Sequence, residues 1–123
     1  MIRYRHAMRN GWVLLLALIG GCGGPAVSLR LIAGADAVEV STVPPGDGYA
    51  PLGPVTGTHG DGCGDFGHRG EYEDALVALR NAAVERGATY VTIVSVLEPH
   101  QNGTCLDQRF VIRGLAYRGA QGR

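Results

Sequence analysis

The chain has 123 residues, with eleven arginines, no lysine and eleven acids, so its formal charge at pH 7 is zero, and it contains three cysteines. That length allows one domain with a real but small core. A balanced charge offers no basic footprint for polyanions, which argues against nucleic acid as a partner.

Residues 1–21 read as a targeting segment. Arg3, Arg5 and Arg9 form a basic front end, and an apolar stretch follows over residues 12–19. A membrane-spanning helix needs about 20 consecutive apolar residues, so this stretch is too short to be one. A basic region, a short apolar run and small residues before a cleavage site also describe an ordinary secretory signal. Cys22 decides between the two, because ordinary cleavage needs no cysteine there. Ile19-Gly20-Gly21-Cys22 resembles the lipobox of bacterial lipoproteins, in which the chain is cut just before a cysteine carrying diacylglycerol. The resemblance implies two or three acyl chains, palmitate among them, on Cys22. Each buried methylene contributes about 0.8 kcal/mol, so two or more chains anchor firmly. In lipoproteins of this kind an aspartate after the cysteine favours the inner membrane. Gly23 stands here instead, which points to the periplasmic side of the outer membrane.

Removal of residues 1–21 leaves eight arginines against eleven acids, a formal charge of −3. With Cys22 assigned to lipid, Cys63 and Cys105 remain as a pair in an oxidising compartment, and a disulfide between them is expected. Closing that loop constrains the unfolded chain by about 4 kcal/mol in the entropy model.

Residues 22–36 are expected to hold the lipidated cysteine and a flexible tether spanning about 20 Å. The domain follows over residues 37–119, with a tail at 120–123. Over residues 37–43, Val38, Val40 and Thr42 alternate with Glu39 and Ser41, the period of a half-buried strand. Residues 44–48 form a turn. Pro51 and Pro54 confine any strand that follows to a short piece near Val55 or to a sheet edge. Residues 57–70 are glycine-rich loop.

Residues 71–86 have Leu76, Leu79 and Ala83 at helical spacing with Ala75 and Ala82 beside them, which predicts an amphipathic helix. Glu71, Glu73 and Asp74 lie at its start and Arg86 at its end, in accord with the macrodipole, and Gly87 suits a left-handed cap. Val77 and Val84, seven apart, widen the apolar surface. Residues 89–97 are rich in β-branched side chains on both alternations and predict a central strand. A turn follows over residues 98–104. The last strand, over residues 109–118, places Phe110, Ile112 and Ala116 on one face and Arg109, Arg113 and Tyr117 on the other. The expected architecture is α+β: a small sheet of about four strands, in the order β-β-α-β-β, with one helix packed on one face.

Tyr49-x-x-Leu52-Gly53-x-Val55-x-Gly57, followed by a helix ending Glu85-Arg86-Gly87-Ala88-Thr89-Tyr90-Val91, resembles the YbjQ-like and RcsF-like group, and within it an uncharacterised family of bacterial lipoproteins. The resemblance runs from about Val38 to Arg118. It implies a periplasmic domain that works by contact with envelope proteins rather than by catalysis.

Three chemical motifs remain. Gly62, Gly64 and Gly67 match G-x-G-x-x-G ahead of a helix, the fingerprint of dinucleotide binding. No buried strand leads into it, and the domain is too small for the paired halves of that fold. A flexible loop around a cystine is the better account. His59, Asp61, Cys63, Asp65 and His68 crowd the loop and bear groups able to hold zinc or copper, so a metal-binding module at residues 57–70 is the alternative function. A cystine at Cys63 removes its thiolate from that set, and no metal or other cofactor is expected. Ser28, Ser41 and Ser95 sit in no nucleophile elbow, there is no Cys-x-x-Cys, and no catalytic residue is assigned. Asn102-Gly103-Thr104 matches a glycosylation acceptor only by accident behind a bacterial signal.

Overall fold

The computed structural model describes residues 28–64 and 67–119. The expectations for the signal segment, for Cys22 and Gly23, for Asp65 and for residues 120–123 lie outside the described residues. Among the described residues, no helix is long and apolar enough to cross a membrane.

The fold is α+β. A 3-10 turn at Ala35–Ala37 leads into β1 (Glu39–Ser41) and β2 (Tyr49–His59). The helix α1 (Tyr72–Glu85) follows, then β3 (Tyr90–Leu97), a hairpin of β4 (His100–Asn102) and β5 (Cys105–Asp107), and finally β6 (Phe110–Gly119). Four strands form one sheet in the order β1-β3-β6-β2. β1 runs parallel to β3, and the other neighbours are antiparallel. The hairpin occupies a segment that reads as a plain turn in the sequence. Its strands are too short and polar to show a period, and their pairing is set by the chain around them.

The helix lies on one face of the sheet. Ala75, Leu79 and Ala83 recur at four-residue spacing and are fully buried against Val55, Val91, Ile112 and Ala116. Gly57 of β2 lies directly beneath the helix, where a side chain would collide with the backbone at Ala75 and Leu79. The helix ends as expected at a left-handed Gly87, φ 76°. Arg86 differs from its expected role. It lies past the last helical turn, and its guanidinium donates to the carbonyl oxygens of Pro54 at 2.7 Å and Leu52 at 3.4 Å. These carbonyls flank Gly53 (φ 102°), where the β2–β6 register shifts by one residue. Arg86 therefore satisfies the irregular part of an edge strand from the end of the helix.

β2 is longer than the prolines suggest. It pairs with β6 almost end to end, and its position at the sheet edge is what accommodates Pro51 and Pro54.

The amino-terminal segment differs most from its expectation. Rather than hanging free to residue 36, it lies against the helix from Leu29 onward. The Asn81 side chain accepts the Ile32 amide and donates to the Arg30 carbonyl, both at 2.9 Å, while Asp74 accepts the Leu29 amide at 2.9 Å. Ala35 is fully buried. At 100° per residue, Asp74 and Asn81 point about 150° away from the mean direction of Ala75, Leu79 and Ala83. Three layers result: sheet, helix and an outer strap.

Candidate functional site

Two regions of the surface merit a functional reading: the cystine-bearing end of the molecule and the face of the sheet away from the helix.

At the cystine end, Cys63 and Cys105 are joined as expected, with Cα atoms 5.4 Å apart. The bond ties the glycine-rich loop to β5, and backbone pairing continues the tie. Cys63 bridges Asp107, the Gln108 amide donates to Asp61, and the Gly70 amide donates to Gln108. Asp107 is buried, and both of its oxygens are engaged by Arg109 two residues on. Oδ1 accepts from the Arg109 backbone amide at 3.1 Å and from Nε at 3.0 Å, and Oδ2 accepts from a terminal nitrogen at 2.8 Å. The Arg109 side chain, then its amide, hold the Asp107 carboxyl down at about 2. The same pairing raises Arg109 above its ordinary value.

Asp61 and His68 face each other across the loop. Asp61 Oδ2 accepts the His68 amide at 2.8 Å and lies 3.3 Å from His68 Nδ1. The backbone amide is the main cause that lowers the Asp61 carboxyl, and both side chains are more than half exposed. His59 is different: it closes β2 as a buried residue, and its Nδ1 accepts the Glu71 amide at 2.9 Å. That bond puts the proton of the neutral ring on Nε2, which lies 3.9 Å from Asp74 Oδ2. His59 thus connects the end of β2 to the start of the helix.

The described members of the cluster of potential metal ligands are therefore divided among structural roles. Cys63 is a disulfide sulfur, His59 braces the helix start, and Asp61 and His68 close a loop on each other. Among the described residues, no three His, Cys, Asp or Glu side chains form a group able to hold a metal. Gly62, Gly64 and Gly67 belong to the same cystine-tied loop, between the end of β2 and the start of α1. Ser41 Oγ accepts the Val43 amide at 3.0 Å, a local turn contact. Asn102-Gly103-Thr104 forms the tip of the β4–β5 hairpin, where Gly103 takes φ 64°.

The second region is the open face of the sheet. Register places Tyr90, Thr92, Ser95 and Leu97 of β3 beside Tyr117, Leu115, Arg113 and Val111 of β6 on this side. One end is closed. Tyr49 and Tyr117 pack edge-on against Tyr90, and the buried Tyr90 hydroxyl donates to the Val43 carbonyl at 2.6 Å. Beyond the tyrosines, Leu115 (40% exposed) and Leu97 (44%) meet water on this side with the exposed Arg113 between them, while Val111 opposite Leu97 is buried; Val94, the extra residue of a β3 bulge, is 63% exposed.

Sequence reasoning missed Asn81 and Asp74 as the residues that hold the strap, and Asp107 as the partner of Arg109. A signal for the first pair exists: asparagine is a poor helix former, and it stands in mid-helix seven residues from Asp74. Comparison of the chain with protein-family models, with curated proteins and with solved structures finds no match in any of the three.

Proposed function

We propose that this chain is a lipid-anchored lipoprotein of the bacterial envelope, facing the periplasm from the outer membrane, whose domain binds envelope proteins rather than catalysing a reaction. The observation that carries the reading is the partition of the cysteines. Cys63 and Cys105 are joined, a bond that persists in an oxidising compartment, and the third cysteine is the one that follows the basic and apolar run. Gly23 supports the outer membrane, and the resemblance to the RcsF-like group points the same way. The contact surface is the open sheet face beyond the tyrosines, where Leu97 and Leu115 meet water.

Fractionation of cells producing the full chain tests the anchor. Wild type is expected in membranes with an intact mass that includes acyl groups on a chain beginning at Cys22, and Cys22→Ala in the soluble fraction. Unprocessed precursor in the cytosol with free thiols, or a Cys22→Ala variant that stays in the membrane, would refute the reading.

A further inference from the structure

The strap that crosses the helix carries Leu29, Leu31 and Ile32, which are 38%, 42% and 42% exposed. Three large apolar side chains within four residues are unusual on a segment held by polar bonds. The bonds to Asp74 and Asn81 engage its backbone, at Leu29, Arg30 and Ile32, and fix the segment while these side chains stay partly open to water. The strap is thus a fixed ledge of exposed apolar side chains rather than a loose tether.

We propose that this ledge is a bilayer-contact surface, with Leu29, Leu31 and Ile32 resting in the interfacial region of the membrane that holds the Cys22 acyl chains. The inference rests on the lipid-anchor reading above. The occupant is identified by the chain that precedes the ledge. Leu29 lies seven residues after Cys22, so even a fully extended connection places it within about 25 Å of the acylated sulfur. A coil of that length averages about 15 Å. The bilayer is therefore the one apolar phase held at high effective concentration beside these side chains. Arg30, between Leu29 and Leu31, is exposed and suits the arrangement: its stem can lie along the apolar surface while the guanidinium reaches lipid phosphates.

The three layers then set the orientation of the whole domain. Strap and open sheet face lie on opposite sides of the helix–sheet sandwich. A membrane against the strap leaves Leu97 and Leu115 facing the periplasm, away from lipid, where a protein partner can reach them.

The test uses tryptophan fluorescence. The sequence has a single tryptophan, Trp12, within the segment removed on processing, so a new tryptophan is the only one in the mature protein. Leu31→Trp and Leu97→Trp chains are purified from bacterial membranes, checked for acylation by intact mass, and placed in phosphatidylethanolamine–phosphatidylglycerol vesicles with brominated acyl chains. The proposal expects a blue shift and loss of emission for Leu31→Trp and neither for Leu97→Trp. Equal quenching of the two variants in acylated protein would overturn the ledge while leaving the anchor intact. An intact mass without acyl groups would overturn the anchor, and the ledge with it.

Discussion

Asp107 shows how much one side chain can organise in a small domain. It is buried at the end of β5, bridges the cystine loop through its backbone, and spends both oxygens on Arg109 at the entry to β6. The carboxyl is held at about 2, below the ordinary 3.8, by hydrogen bonds from the Arg109 side chain and amide. A depressed carboxyl favours the folded state above its unfolded value, and that contribution disappears as pH falls through the folded one. Asp107→Asn is therefore expected to lower the melting temperature near neutral pH, with the gap to wild type closing between about pH 4 and pH 2. Thermal melts across that range check it; a gap independent of pH would remove the carboxylate from the account. The sequence shows an Asp and an Arg two apart, a spacing that carries no signal of its own. Only the turn between β5 and β6 folds the guanidinium back onto the acid.

At the scale of elements, α1 packs tightly on β2. Gly57 exists beneath the helix because no side chain fits there, and Leu79 fills the space beside it. Gly57→Ala pushes a methyl group into helix backbone, and overpacking of this kind costs about 1–3 kcal/mol. Gly46, in the turn after β1, has open space around it, and Gly46→Ala is expected to leave stability nearly unchanged. Chemical denaturation of the two variants separates a packing role for Gly57 from a general effect of glycine replacement. The helix itself was legible from Leu76, Leu79 and Ala83 at helical spacing, with Ala75 beside them, and from Gly87 at its end, although Ala75 rather than Leu76 joins Leu79 and Ala83 in full burial. Its outer face was not. Asp74 and Asn81 look like ordinary solvated residues until the strap is laid across them, because a backbone bond to a distant segment leaves no periodic trace.

For the molecule as a whole, the cystine is the long-range staple. Its ends are 42 residues apart and join the loop before the helix to the hairpin before β6. Loss of the crosslink is expected to cost about 4 kcal/mol, a large share of the stability of a small domain. Cys63→Ser and Cys105→Ser should cost the same, since either removes the same bond. Calorimetry of the single variants and the double variant checks this; unequal losses would give the two sulfurs separate tasks. The overall α+β class was legible because it follows from a few strong local patterns: one amphipathic helix followed by β-branched strands. The hairpin at residues 100–107 was not, since its strands are too short to show an alternation, and the cystine and the Cys63–Asp107 bridge that tie it to the loop come from far along the chain.

Some properties were written in the residues alone. The pairing of Cys63 with Cys105, one helix with Gly87 at its end, and the confinement of the proline-bearing β2 to a sheet edge each follow from local chemistry: cysteine arithmetic, apolar periodicity and the missing amide of proline. Tertiary structure decided the rest. It gave His59, Asp61 and His68 bracing roles, left Leu97 and Leu115 of the open sheet face exposed, and laid residues 29–37 along the helix. Each of these depends on contacts between segments tens of residues apart, and the energy of such contacts belongs to the assembled layers and not to any stretch of sequence.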